Sequence, residues 1–430
     1  MWENIQYFFS FQDTNILYVS LGTIILGSSA AVVGSFTFLR KRALIGDAIA
    51  HAILPGICIA FLLSGTKNYV FLILGAFISG WISIILVDYI SKNSKIKEDT
   101  AIGLILSVFF GFGILLLTYI QQSGNAAQTG LDSFLFGKAA SMVLQDVIVF
   151  SVISILLIIT VTLFYKELQL ISFDEAFAQS MGLPVKGLVF MLSSLTVLAV
   201  VTGIQAVGVV LMAALLITPT AAAKYWSGYL PRILLLAAVI GGFSGFSGAF
   251  ISYIAPNMPT GPWVVMVLSA IAFISILFAP RKGIVAKWLK QIHHRHRIQD
   301  ENIIKTFFQI AEEEESFGEP KTIALIREKR YYSYKLIRRI LKRLKRHGYL
   351  VENKAGYYLT PFGQRKAARL VKLHRLWELY LTEYLRIAPD HVHEDADTIE
   401  HLITPELEKR LEEKLGYPAV DPHNSKIPYE

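Results

Sequence analysis

The chain has 430 residues, 53% of them hydrophobic and 17% charged, with a formal net charge of +8 and a mean hydropathy of +0.49. That balance is too apolar for a soluble protein of this length, so most of the chain is expected to face lipid. Residues 1–280 hold 12 of the 41 Lys and Arg and 11 of the 33 Asp and Glu, the rest falling in the remainder, which predicts a polytopic membrane domain followed by one soluble domain. The single Cys58 excludes a disulfide framework and a four-cysteine zinc module. The first residues, MWENIQYFFSFQDTN, carry no basic start and no small-residue cleavage site, so the first span is expected to stay as its own insertion signal.

A bilayer core of about 30 Å needs about 20 apolar residues per helix. Spans are predicted near 15–39, 43–64, 69–90, 101–120, 142–165, 188–203, 205–223, 233–255 and 262–280. The stretch 188–223 is long for one helix and short for two, and Gly203, Gln205 and Gly208 at its middle suggest a tight hairpin. Charge decides between them. Arg40, Lys41 and Arg42, then Lys92, Lys95 and Lys97, Lys166 and Lys186, Lys224 and Arg232, and Arg281 and Lys282 all follow odd-numbered spans, whereas the opposite loops hold Lys67 and Lys138. By the positive-inside rule the N-terminus is outside and the tail cytoplasmic, which requires two spans within 188–223. Runs of small residues, Gly27 to Ala31 and Gly241 to Gly248, read as close helix packing in lipid.

Ionisable residues within a span cost roughly 2.5–3.5 kcal/mol each on insertion scales, so each asks for a reason. In ALIGDAIAHAILPGICIA, Asp47 and His51 stand four apart and share one helix face, in what reads as mid-membrane. His51 is the only histidine in the first 280 residues. A carboxylate oxygen and an imidazole nitrogen at that spacing can hold a divalent cation; a pair that merely fastens the span to a neighbour is the alternative. Pro55 should bend the helix just beyond, and Cys58 reads as a small buried hydrophobe. Two ligands are too few for a manganese or zinc site, but two copies facing each other across a dimer axis would bring two carboxylates and two imidazoles.

The loop after the fifth span reads KELQLISFDEAFAQSMGLPVKG, with helix-start signals at Ser172, Asp174 and Glu175 and a stop at Gly182-Leu183-Pro184, and is followed by GIQAVGVVLMAALLITPTAAA. Here the sequence resembles the permease subunits of the manganese/zinc/iron ABC importer family, over about residues 15–280. The resemblance implies that this loop forms a coupling helix docking on an ATPase subunit, with Asp174, Glu175, Ala176 and Gly182 at the contact. It also implies that Asp47 and His51 match the metal-contacting pair of the pathway, and that the partners are an ABC ATPase, a second permease chain, identical or homologous, and an extracytoplasmic metal-binding protein. No G-x-x-x-x-G-K-[ST] occurs, so this chain is not expected to hydrolyse ATP.

After the basic RKGIVAKWLKQIHHRHRIQ, whose His293, His294 and His296 read with their neighbours as a lipid-headgroup cluster, the pattern becomes helical and charged. Helices near 300–316, 321–329 and 333–347, a wing of strands 349–353 and 357–360, and a long helix from 361 to 386 follow the winged helix-turn-helix order. The segments GYYLTPFGQRKA, LVKLHRLWELYL and HVHEDADTIEHLITPELEKRLEEKLGYP resemble the iron- and manganese-dependent repressors. That resemblance implies an ancillary metal site of His374, Glu378 and His393 and a primary site with Asp397, Glu400 and His401. Asn302 and Lys305 stand where the family's first helix brings ligands or acidic residues, and a lysine ammonium there would repel a cation. The third helix, YYSYKLIRRILKRLKRHG, is strongly basic, but specific DNA reading is not expected of a membrane-anchored domain.

The expectation is therefore an all-α polytopic bundle of about nine spans (1–284), a basic linker (285–299), a cytoplasmic winged-helix domain (300–360) and a helical metal-binding or dimerisation region (361–430). As a multi-pass cell-membrane protein with no permanently bound cofactor, it would import a divalent metal, manganese before zinc or iron, as an ABC permease subunit whose tail senses metal. The rivals are a membrane-tethered metal-responsive DNA-binding regulator and a secondary transporter.

Overall fold

The computed structural model describes residues 2–66, 68–122, 137, 139–255, 258–388, 392, 399–401 and 403–429. Lys67, Lys138, His393 and Asp397, all named above, lie outside the described residues. The chain forms two compact units, Met1–Lys287 and Trp288–Glu430.

The first unit is built of helices α1 (Trp2–Ser10), α2 (Thr14–Leu39), α3 (Ile45–Ser64), α4 (Tyr69–Asn93), α5 (Glu98–Gln122), α6 (Leu144–Leu163), α7 (Tyr165–Phe173), α8 (Glu175–Ser180), α9 (Val185–Val207), α10 (Val209–Trp226), α11 (Leu230–Ile254) and α12 (Thr260–Phe278). In lipid a backbone must satisfy its hydrogen bonds within the segment, which is why apolar runs of this length become helices. Among the described residues eight helices, α2 to α6, α9, α11 and α12, are long and apolar enough to cross a membrane. The remaining expected span, 205–223, is α10, an 18-residue helix with Pro219 inside it, and it is not among those eight. Gly208, at a φ of +88°, separates α9 from α10. A Cβ on Gly203 would meet Met212 Sδ at 2.3 Å, a proximity that a continuous helix forbids, so the chain doubles back here as the hairpin reading required. Helix α1, with the aromatic rings of Phe8 and Phe9 against Phe246 and Phe250, was not expected from the sequence.

Helix α2 is the hub, packed against α6, α9, α10 and α11. The glycine runs explain how: a Cβ on Gly27 would lie 2.4 Å from Gly241 O, and one on Gly241 would lie 2.2 Å from Gly27 O. Hydroxyl pairs add polar glue between spans, Ser29 to Ser154 at 2.8 Å and Ser35 to Thr220 at 2.7 Å.

The second unit is organised by α13 (Ile284–Glu313), α14 (Ile323–Lys329), α15 (Tyr334–Arg346), the hairpin β1 (Leu350–Asn353) and β2 (Gly356–Leu359), α16 (Pro361–Leu385) and α17 (Pro405–Leu415). The strands pair antiparallel with Leu350 opposite Leu359. Thr322, Ser333, Thr360 and Thr404 cap four of the helices with their side-chain oxygens. In α15, Ile337, Ile340, Leu341 and Leu344 are buried on one stripe against Ile303, Phe307 and Ile326. This is the predicted winged-helix order. One difference concerns 285–299: the stretch read as a linker is helical, because α13 runs unbroken from Ile284.

Gly27→Val should insert a side chain where only backbone fits, costing about 3 kcal/mol or more and sharply reducing the yield of monodisperse protein. Gly103→Val, where a Cβ meets nothing within 4 Å, should leave the yield unchanged. Size-exclusion chromatography of both variants checks this.

Candidate functional site

Asp47 and His51 lie in the first two turns of α3, so the pair is nearer one end of the span than its middle, a correction to the sequence reading. At a rise of 1.5 Å per residue, the two positions sit roughly 3 and 9 Å from the start of the helix. A carboxylate in the first turn is favoured by the helix dipole. His51 Nε2 is 3.5 Å from Asp47 Oδ1, with the His51 side chain 16% and the Asp47 side chain 37% exposed. The imidazole stands edge-on to Phe110 of α5, ring centroids 4.8 Å apart, and its buried Nδ1 has no hydrogen-bond partner among the described residues. An unsatisfied buried polar atom costs about 1–3 kcal/mol, and packing alone does not account for leaving this nitrogen without a bond. Cys58, fully buried, directs its thiol at Gly113 O on α5 and is no partner of the pair.

Around this end of the bundle the structure places ion pairs that sequence spacing did not reveal. Arg42 bridges α4 and α5 through Asp88 and Glu98, each at 2.8 Å. Arg40, at the end of α2, donates to Glu175 at 3.0 Å. Glu175 opens α8, whose N-cap Asp174 accepts from Phe177 N at 2.9 Å, and Gly182 closes the turn at a φ of +79°. Phe173, Phe177 and Met181, four residues apart, are 65%, 51% and 64% exposed. Phe173 ends α7, Phe177 lies within α8 and Met181 caps its C-terminus, so the exposed apolar row runs along the short α7–α8 turn. Elsewhere in the bundle Asp146 and Gln205, also missed as a pair, are buried and joined at 3.1 Å.

In the second unit α13 presents Arg297, Glu301 and Lys305 at successive turns toward α16, which carries Lys366, His374 and Glu378. Lys305, 1% exposed, donates to Glu400 Oε2 at 2.8 Å and lies 2.9 Å from His374 Nδ1. His374 Nδ1 is 2.7 Å from the same Glu400 oxygen, and its Nε2 is 2.9 Å from Glu378 Oε1. The two expected sites are thus not kept apart, because His374 joins Glu378 to Glu400. His401 turns instead to Glu301 (2.7 Å) and Asn302 (3.2 Å). Glu301, which the sequence reading passed over, also receives Lys366 at 2.8 Å and Arg297 at 3.3 Å. Burial pushes the Glu301 carboxyl up, but the bonds from His401 and Lys366 outweigh it and bring it down to about 2. For His374 burial opposes the charged form, yet Glu378 and Glu400 raise it above its ordinary value.

Residues 12–279 match the ABC 3 transport family. The chain belongs to that family. This ABC 3 family member also matches, over residues 360–429, the iron dependent repressor metal binding and dimerisation domain, so both sequence resemblances are borne out. A manganese transport system membrane protein of Bacillus subtilis is 41% identical over 88% of this chain and 86% of its own length. A zinc transport system membrane protein of Treponema pallidum is 44% identical over 67% of this chain and 95% of its own. Among solved structures, PsaBC from Streptococcus pneumoniae aligns with a TM-score of 0.59 and 32% identity, covering 67% of this chain and 99% of that one.

The repressor-type domain implies a bound metal, and the described residues of the expected set, His374, Glu378, Glu400 and His401, do not fit one as they stand. A buried ammonium occupies the midst of the donor set, and among the described residues no three His, Cys, Asp or Glu side chains converge on a cation position.

Farther along the second unit, Glu408 of α17 clamps onto α16 through Arg369 and Lys372, both at 2.7 Å. Burial raises the Glu408 carboxyl, but those two bonds lower it further, to below its ordinary 4.5. Its contribution is therefore complete above pH 4.5 and lost as pH falls through the lower folded value. Amide protection of 405–415, corrected for intrinsic exchange, should fall on acidification below that point. Glu408→Gln should show weaker protection already at neutral pH, by about 1 kcal/mol, since Lys372 and Glu408 are 14% and 11% exposed and Arg369 38%.

Proposed function

We propose that this chain is the permease subunit of an ATP-driven importer of divalent metal ions, with manganese the first choice and zinc and iron next. The observation that carries the reading is the buried Nδ1 of His51, without a partner among the described residues, beside the Asp47 carboxylate in a predominantly apolar helix bundle. An imidazole nitrogen and a carboxylate oxygen without thiolate are a donor set for manganese or iron at least as much as for zinc. The manganese and zinc transport proteins that resemble this chain support a metal as the substrate. One chain offers two donors. A second permease chain, identical or homologous, facing the first would double them and complete a coordination sphere.

Energy comes from a separate ATPase, since no phosphate-binding loop is present. The exposed row of Phe173 at the end of α7, Phe177 in α8 and Met181 at its C-cap, tied to α2 by the Arg40–Glu175 bridge, is the surface on which the ATPase docks. Movement there reaches α2, and through α2 the α9–α10 hairpin and α11 packed around it. In this reading the N-terminus is outside and the tail cytosolic, following the basic loops, and an extracytoplasmic metal-binding protein delivers the ion. The chain is a transporter component and performs no catalysis itself.

Removing even an outer-shell partner costs about 10–100-fold in metal affinity, so Asp47→Ala or His51→Ala should lower manganese uptake by at least about tenfold. Proteoliposomes containing the permease and its ATPase test this, with co-purification of the ATPase as the control for assembly. Uptake at the wild-type rate in either variant would remove the pair from the pathway.

A further inference from the structure

We infer that Lys305 is the resident cation of the second unit: its ammonium takes the place a metal ion would hold, and the domain keeps its fold without metal. This stands apart from the transport reading, which concerns the other unit. Lys305 comes from α13, His374 and Glu378 from α16, and Glu400 from the segment beyond, so one ammonium joins three parts of the chain that a metal would otherwise have to join. Its nitrogen lies 2.8 Å from a Glu400 carboxylate whose side chain is fully buried. A buried carboxylate needs a partner charge in contact with it, and here the partner is covalently tethered and cannot dissociate.

The same solution recurs one turn earlier on α13. Glu301, 4% exposed, accepts from His401, and its charge is met by Lys366 and Arg297 rather than by a metal. Carboxylates of the kind that would ligate are thus answered twice by basic side chains of this chain. A divalent ion entering the Lys305 cluster would meet an ammonium within contact distance of its own donors, a repulsion that disfavours both. The donors themselves remain chemically competent: two carboxylates and an imidazole are oxygen and nitrogen ligands for manganese. What excludes the metal is the lysine.

The test is hydrogen exchange on the full-length purified protein, comparing chelator with saturating manganese, for wild type and for Lys305→Met. In wild type, protection of 300–310 and 367–385 should be the same under both conditions. In Lys305→Met those segments should lose protection in chelator and regain it with manganese, because the two carboxylates then lack a cation until the ion supplies one. Lys305→Met combined with Glu400→Gln should lose that manganese response. Manganese-dependent protection of these segments in wild type would overturn the inference. So would Lys305→Met protein that is fully protected in chelator and indifferent to manganese. Should Lys305→Met prove too unstable to purify even with manganese, the wild-type comparison decides alone.

Discussion

A buried imidazole nitrogen with nothing to bond to, one helical turn from a carboxylate, is the constraint on which the account of the membrane unit rests. Hydrocarbon surroundings make such a group expensive, and the bundle could have avoided the cost with an apolar residue at His51. Instead α3 places Asp47 in its first turn, where the peptide dipoles favour a negative charge, and stacks the imidazole edge-on against Phe110 so that its orientation is fixed. The position near one end of the span also matters. A cation bound there is a short step from the loop that carries Arg42, whose own charge is taken up by Asp88 and Glu98 rather than left to repel the ion.

The rest of the bundle is the frame in which this pair is held. Reciprocal contact of Gly27 with Gly241 brings α2 and α11 to backbone distance, and α2 also packs against α6, α9 and α10. Arg40 continues α2 into the short helix α8, so force applied to the exposed Phe173, Phe177 and Met181 row arrives at the hub. Small residues and hydroxyl pairs let the helices approach closely.

Much of the fold was legible because lipid leaves few options: apolar length gave most of the spans, and charge asymmetry divided 188–223 into two helices, with the break at Gly208 four residues beyond the expected position. The winged-helix order was equally readable from the succession of three helices, two short strands and a long helix. Local pattern failed where tertiary contacts decide. Helix α1 forms against aromatic residues far along the chain, and α13 extends through a basic stretch whose polarity suggested a linker. In the sites, residues a turn apart were found together, as with Asp47 and His51 or His374 and Glu378. Partners across long separations were invisible: Glu301 with His401 and Lys366, Arg42 with Asp88 and Glu98, Asp146 with Gln205. Lys305 is instructive, since its misfit as a metal ligand was visible in the sequence, but only packing revealed that its ammonium reaches Glu400 and His374.

The two units thus handle charge in opposite ways. The membrane unit leaves an imidazole nitrogen without a partner among the described residues, and the second unit meets the buried carboxylates of Glu301, Glu400 and Glu408 with its own lysines. The central claim, that Asp47 and His51 contact a passing divalent ion, is tested most directly by pulsed electron paramagnetic resonance of manganese bound to the permease–ATPase assembly. The account predicts hyperfine coupling to an imidazole nitrogen in the wild type that disappears in His51→Asn; an unchanged nitrogen coupling in that variant, or none in the wild type, would contradict it.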